Sequence, residues 1–153
     1  MSDCRCKGKG NNEISCNCQF GTVTLSDGNN TTPFVPLTLT TDTINVTERD
    51  WVVKVDTMAD IQKTGGTTIT AVNYVVERIT GGTTTTLCNY NVVDERISDF
   101  TLTPNNTVCD HPPLGCHMYR LSILDNGTNL SLTLENTCRC INVTTFQKSE
   151  LSK

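Results

Sequence analysis

Glycine, proline and asparagine break this chain at short intervals, and those breaks limit its fold more than any other feature. Turn signals fall at Asp27-Gly28-Asn29-Asn30, Gly65-Gly66, Gly81-Gly82, Pro104-Asn105-Asn106, Pro112-Pro113-Leu114-Gly115 and Asp125-Asn126-Gly127. The runs between them have strand length, and turn signals spaced in this way predict a β-sandwich or barrel. Thr64-Gly65-Gly66-Thr67-Thr68 and Thr80-Gly81-Gly82-Thr83-Thr84 are near-identical. Both read as hairpin turns, because glycine supplies the positive φ that a two-residue hairpin loop needs.

Alternation within the runs assigns their inward faces, since successive strand residues point to opposite sides. Trp51, Val53, Val55, Ala59 and Ile61 alternate with Lys54, Asp56, Asp60 and Gln62. Tyr119, Leu121 and Ile123 alternate with Met118, Arg120 and Ser122, and Leu130, Leu132 and Leu134 with Ser131, Thr133 and Glu135. Val35, Leu37 and Leu39 form another inward set, and Ile44 with Val46 a shorter one. Thr57 to Lys63 would also fit a short helix, but strand alternation explains it equally well. β-Branched residues dominate the apolar set and aromatics make up only 5%, which suits strands better than helices. Roughly eight to ten strands result, the number expected of a jelly roll or a similar sandwich. The expected fold is therefore all-β: a jelly-roll-like β-sandwich over residues 16–146, an extended N-terminal arm over 1–15, and a polar tail over 147–153.

The arm carries the second constraint. Nine cysteines occur in 153 residues, six of them in three C-x-C pairs: Cys4-Arg5-Cys6, Cys16-Asn17-Cys18 and Cys138-Arg139-Cys140. An odd total leaves at least one thiol free or bonded to another chain. Fully extended, the segment from Met1 to Ser15 reaches roughly 50 Å at ~3.3 Å per residue. A domain of this size has a radius of only about 15 Å, so the arm is long enough to leave its own domain. Such cysteine usage means disulfides in an oxidising setting and metal or redox chemistry in a reducing one. The N-terminus has no apolar signal-peptide core, and no apolar run is long enough to span a membrane. Disulfide-type cysteines without a secretory signal imply another route out of the cell, or metal. The net charge is −4, and Lys7 and Lys9 make no basic patch, so no nucleic-acid partner is expected.

Strand parity sorts the cysteines. Ile141 and Val143 should face the core, which turns Cys138 and Cys140 outward. Val23 and Leu25 facing in would turn Cys16 and Cys18 outward. Phe20 shares the parity of that second pair, and a bulge between them would reverse the assignment. Two cysteines on one face of a C-x-C strand bond each other poorly, so each needs its own partner. If the first and last strands lie side by side, Cys16, Cys18, Cys138 and Cys140 form one patch. Three uses remain open: disulfides to neighbouring subunits or between the termini, a thiolate zinc or copper site, or incidental thiols. Structural zinc usually takes C-x2-C spacing, which weighs against metal. Cys109 and Cys116 flank Asp110-His111-Pro112-Pro113-Leu114-Gly115, and an intra-chain disulfide closing that loop is the simplest reading. The alternative makes zinc ligands of His111 and His117. Cys88 shares the parity of Tyr90 and Val92 and reads as a buried free thiol. Cys116 beside His117 is no catalytic dyad, because strand neighbours point to opposite faces. Gly65-Gly66 and Gly81-Gly82 lack the lysine and helix of a phosphate loop. No catalytic residue, cofactor or metal is expected. The N-x-S/T sequons, among them those at Asn30, Asn45, Asn105, Asn126, Asn129 and Asn142, follow from the Asn- and Thr-rich composition.

This layout resembles the endospore appendage (Ena-type) pilins of spore-forming Firmicutes. Cys4 and Cys6 match that family's N-terminal connector by placement, Cys16 and Cys18 its first-strand cysteines, and Cys138 and Cys140 its last-strand cysteines. The resemblance implies a jelly-roll domain whose connector forms inter-subunit disulfides from Cys4 and Cys6 to cysteines among Cys16, Cys18, Cys138 and Cys140. It implies a homopolymeric, disulfide-cross-linked extracellular fibre on the spore surface. Subunits made in a mother cell that later lyses need no signal peptide. Two other readings compete: a jelly-roll carbohydrate- or surface-binding module, and a thiolate metal-binding protein. Sugar sites usually stack on aromatic rings, and besides the phenylalanines only Trp51, Tyr74, Tyr90 and Tyr119 are at hand.

Overall fold

The structure is a computed structural model that describes residues 14–26, 37–63, 70–94, 100–125 and 132–147. Every regular element among them is a strand: β1 (Ile14–Ser26), β2 (Leu37–Thr40), β3 (Ile44–Val46), β4 (Trp51–Ala59), β5 (Ile61–Lys63), β6 (Thr70–Thr80), β7 (Thr83–Asp94), β8 (Phe100–Leu102), β9 (Asn105–Asp110), β10 (Gly115–Asp125) and β11 (Leu132–Gln147). The fold is all-β, as the turn spacing predicts.

The pairing is nested. β6 meets β7 across the Gly81-Gly82 turn, β4 meets β9, β2 meets β10, and β1 meets β11, all antiparallel. The chain is thus one long hairpin whose tip is the Gly81-Gly82 turn. Both glycines have positive φ, 54° and 85°, the backbone a primed two-residue turn requires. Two further ladders, β11 with β4 and β10 with β6, roll the hairpin up. One sheet then has the order β1-β11-β4-β9 and the other β2-β10-β6-β7, with β3 added beside β10. This is jelly-roll topology. β5 and β8 form a small separate ladder.

The core lies between the two sheets. Trp51, Val53, Val55, Ile141 and Val143 from the first meet Leu39, Val72, Tyr74, Val76, Tyr119, Leu121 and Ile123 from the second. Leu37, Ile44, Val46, Ala59 and Ile61 complete it. Each of these residues except Val72, Tyr74 and Val76 was assigned inward by alternation alone. Thr57 to Lys63 is no helix: β4 ends at Ala59 and β5 starts at Ile61. Of the turn signal Pro104-Asn105-Asn106, only Pro104 lies in the connection between β8 and β9. Asn105 and Asn106 open β9, in register with Met58 and Thr57, so the ladder overrides their turn preference. β1 begins two residues before residue 16, and β11 runs to Gln147. Val35, Gly65-Gly66, Asp27 to Asn30 and Asn126-Gly127 lie outside the described residues, as do the side chains of Val23, Leu25, Leu130, Leu132 and Leu134.

A polar cluster pins the two sheets together near one end of the core. Arg78 on β6 donates through Nη1 to both carboxylate oxygens of Asp110 on β9, each at 2.8 Å. Tyr119 on β10, directly opposite Arg78 in register, donates its hydroxyl to Asp110 Oδ2 at 2.9 Å. Burial, with the Asp110 charge beside it, pushes the Tyr119 phenol far above its ordinary value of 10.0. Next to this cluster His117 is fully buried. Its Nε2 lies 2.7 Å from the Pro113 carbonyl and its Nδ1 2.8 Å from the Thr80 hydroxyl. A carbonyl only accepts, so Nε2 donates to Pro113, while Nδ1 and the Thr80 hydroxyl share the second hydrogen bond.

Two outcomes follow. Leu121 is 1% exposed, and Leu121→Ala should cost ~2–5 kcal/mol, the range for a buried leucine; urea unfolding curves give the number. The raised phenol sets an alkaline limit. Below about pH 10 Tyr119 is protonated in both folded and unfolded chains. Above it the unfolded chain ionises while the folded chain holds its proton, so stability falls as pH rises. Urea midpoints should drop steadily from pH 9.5 upward, and less steeply in Tyr119→Phe.

Candidate functional site

The candidate site is the outward face of the β1–β11 ladder. Ile141 and Val143 are fully buried, which turns the residues between and before them to the outside. In register, Cys18 lies opposite Cys140, Cys16 opposite Asn142, and Phe20 opposite Cys138. The cysteines of both strands therefore occupy one face, as parity predicts. β1 is the outer strand of its sheet, so this face borders an edge. Phe20 is 72% exposed, while Cys18, Cys138 and Cys140 are half-buried.

The opposite face of the same strands holds them in register. Asn17 donates through Nδ2 to the Thr40 carbonyl at 2.7 Å, tying β1 to the second sheet. Arg139, between the two cysteines of its pair, points inward and is buried. Its guanidinium reaches Gln19 Oε1 at 3.1 Å and the Gly21 carbonyl at 3.4 Å. Burial lowers the guanidinium below its usual value, against the pull of Cys138. Gly21 has φ of 147°, a conformation open chiefly to glycine. There the ladder slips: Gly21 pairs with Thr137 but Val23 with Leu134. The extra residue is on β11, so the parity of Cys16 and Cys18 along β1 is not reversed.

The bonding differs from expectation in two places. Cys18 and Cys140 are disulfide-bonded within one chain, their Cα atoms 4.2 Å apart. The family resemblance implies bonds between subunits for both residues, whereas a bond between the termini is the other disulfide use that strand parity leaves open. Direct cross-strand opposition is the cause, since it places the two β-carbons within bridging distance. Cys16 is also disulfide-bonded, and Cys138 is free. Cys4 and Cys6 lie outside the described residues.

The second correction concerns Cys109 and Cys116, expected to close a loop by an intra-chain disulfide. Both are free and exposed. Cys109 sits opposite Lys54 on the first sheet, and Cys116 opposite Asn45 on the second. The Asp110–Gly115 connection crosses from one sheet to the other, so the two thiols point away from opposite outer faces. Parity contained this result: Asp110 is buried, and its strand neighbour Cys109 must face out. Cys88 is a free thiol, half-buried against the core where parity predicts a buried one, and it accepts from Asn106 Nδ2 at 3.4 Å.

The Arg78–Asp110–Tyr119 cluster was missed. Its signal was present, because Arg78 continues the inward parity of Val72, Tyr74 and Val76, and a buried phenol needs a partner. The two histidines do not come together as ligands: His111 is exposed, and both ring nitrogens of His117 are engaged within the chain. Among the described residues no group of three or more His, Cys, Asp or Glu side chains could hold a metal. Among them, too, no helix is long and apolar enough to cross a membrane.

No protein-family model matches the sequence, and no curated protein matches it. Solved structures with some similarity include that of the infectious bursal disease virus Gx strain, at 8% identity and a TM-score of 0.47, covering 93% of this chain and 33% of that one. The infectious bursal disease virus VP2 subviral particle gives 10% identity and 0.46, covering 96% and 36%. The enzymatically active domain of bacteriophage CBA120 tailspike protein 4 gives 12% and 0.35, covering 90% and 19%. The chain spans about a third or less of these structures' lengths. The jelly-roll topology rests on the strand pairings themselves.

The placement of Cys109 and Cys116 is open to a direct check. Native protein treated with iodoacetamide should carry label on both, and peptide mapping without reductant should find no Cys109–Cys116 linked peptide.

Proposed function

We propose that this chain is a structural subunit of a self-assembling extracellular fibre in which disulfides join neighbouring copies. The observation that carries the reading is the cysteine face on the first and last strands. It presents Cys18, Cys140 and the free Cys138 outward, next to a sheet edge. The segment before β1 brings Cys4 and Cys6 on an arm whose extended reach exceeds the domain radius. In this reading the arm of one copy reaches the cysteine face of another.

Edge pairing would start the assembly. β7 is the outer strand of the second sheet, and from Thr83 to Val93 it carries no charge and no proline. Natural sheets usually protect their edges with such residues, so an unprotected edge is a template for pairing. The covalent ties then hold subunits whose non-covalent contacts are broken by heat or detergent. Placement on a spore surface, with release by lysis of the mother cell, rests on the resemblance to the endospore appendage pilins. No enzymatic step is part of this reading.

Replacing Cys4 and Cys6 by Ser should leave a folded domain that still assembles, but into fibres that fall apart in hot detergent. Deleting residues 1–13 should reduce long-range order further. Electron micrographs before and after boiling in detergent, with and without reductant, read the outcome. Parent fibres that dissolve without reductant would sink the cross-linking.

A further inference from the structure

We propose that β7 is a dimerisation edge, and that its partner is β7 of a second copy, paired antiparallel about a two-fold axis. The inference rests on the fibre reading above and deepens it: it names what the β7 edge pairs with and the unit from which the fibre is built. β7 pairs with β6 along one side, and among the described residues no backbone group pairs with its other side. The outer strands differ in what they offer a partner. β2 has four residues, and β9 has six and ends in the acid Asp110. β1 belongs to the cysteine ladder. β7 has twelve residues, and Thr83 to Val93 carry neither charge nor proline.

Three features suit this edge to a copy of itself. It is exposed: residues 83–86, Asn89 and Asn91 face solvent, and Val93 is 53% exposed. It is held in shape. Tyr90 stacks on the buried Tyr74, ring centroids 5.1 Å apart, and donates its hydroxyl to the Asn105 carbonyl of β9 at 3.4 Å. Asn106 of β9 donates to Cys88 at 3.4 Å. These contacts fix β7 over β9, so little freedom is lost when a partner strand docks. The edge is also self-compatible. About a two-fold axis each of its residues meets a residue of the same strand, and an uncharged strand opposes no like charges. Leu87 is an extra residue, because Val76 pairs with Cys88 and Glu77 with Thr86. Past that bulge residues 88–93 run in unbroken register with β6, and they form the centre of the pairing.

Pairing of this kind joins two second sheets into one, in the order β2-β10-β6-β7-β7-β6-β10-β2. Main-chain hydrogen bonds supply the affinity, as in other cases of strand addition at an open edge. The fold then sets what lies at the ends of the dimer. β1 lies beside β2, tied by Asn17 to the Thr40 carbonyl, while β7 lies beside β9. The β7 edge and the cysteine ladder therefore flank opposite sides of the sandwich. A dimer closed through β7 carries one cysteine face at each far end. Covalent links at those faces extend it in both directions, and the two ends of the growing fibre are alike.

The test uses the full-length chain, taken as the species that runs as a single chain on a non-reducing gel, with its free thiols capped by iodoacetamide. Capping leaves Cys18–Cys140 intact and blocks new links between chains. Sedimentation equilibrium should find a reversible dimer. The double variant Asn89→Lys, Asn91→Lys changes two exposed positions and should melt with the parent. It should dimerise about tenfold more weakly, because lysines of the two copies oppose each other. Mixing it with Asn89→Glu, Asn91→Glu should restore a dimer containing one chain of each. A capped parent that stays monomeric at every concentration would overturn the β7 pairing; fibres from the uncapped parent would then leave the fibre reading standing. A lysine variant that dimerises as the parent does would overturn the pairing too. A capped parent that dimerises, beside an uncapped parent that never gives fibres, would uphold the pairing and end the fibre reading. If the lysine variant does not fold, amide exchange of the parent decides. β7 amides no better protected in concentrated than in dilute protein would overturn the pairing.

Discussion

The structure depends on the first strand finding the last. β1 and β11 lie at opposite ends of the chain, and their ladder is the outermost turn of the roll. The Cys18–Cys140 bond across it joins residues 122 apart in sequence. By the chain-entropy account, closing a loop of that length removes about 5 kcal/mol of freedom from the unfolded state. A domain is typically stable by only ~5–15 kcal/mol, so this bond is a large part of what keeps the ends together. The same ladder gathers the cysteines into one face, so fold closure and the candidate site share their cause.

The strand pattern was legible wherever burial alone decides the side chain. Val53, Val55, Leu121, Ile123, Ile141 and Val143 all face in as alternation requires. What escaped was decided by contacts between distant residues. Cys109 and Cys116 looked like loop partners because they are near in sequence, yet they stand on different sheets. Asn105 and Asn106 looked like a turn, and pairing with β4 made them strand. Arg78 and Asp110 are ordinary surface types in a composition table. Only the roll of the hairpin brings them together under Tyr119. The slip at Gly21 belongs to the same class, since a ladder's register depends on both strands and one sequence run does not specify it.

The buried polar contacts make the ends of the sandwich specific in a way that its apolar middle is not. Val, Ile and Leu side chains tolerate small shifts between sheets. Arg78, Asp110 and Tyr119 do not, because a displaced carboxylate would stay buried without its partners. His117, held between Thr80 and Pro113, fixes the crossing loop in the same neighbourhood. Thr80 is the last residue of β6 before the Gly81-Gly82 turn, so the tip of the hairpin and the sheet crossing are anchored to each other.

The nested pairing also has a consequence for synthesis. A ribosome releases β1 first and β11 last, so the strand bearing Cys16 and Cys18 has no partner while the rest of the chain is made. The β6–β7 hairpin can close as soon as it emerges, because its partners are adjacent in sequence. The β1–β11 ladder waits until the strands between them have been made, as contacts of high sequence separation form late. The cysteine face therefore comes into being only once β11 has been made, and a nascent chain that stops short of β11 never presents it.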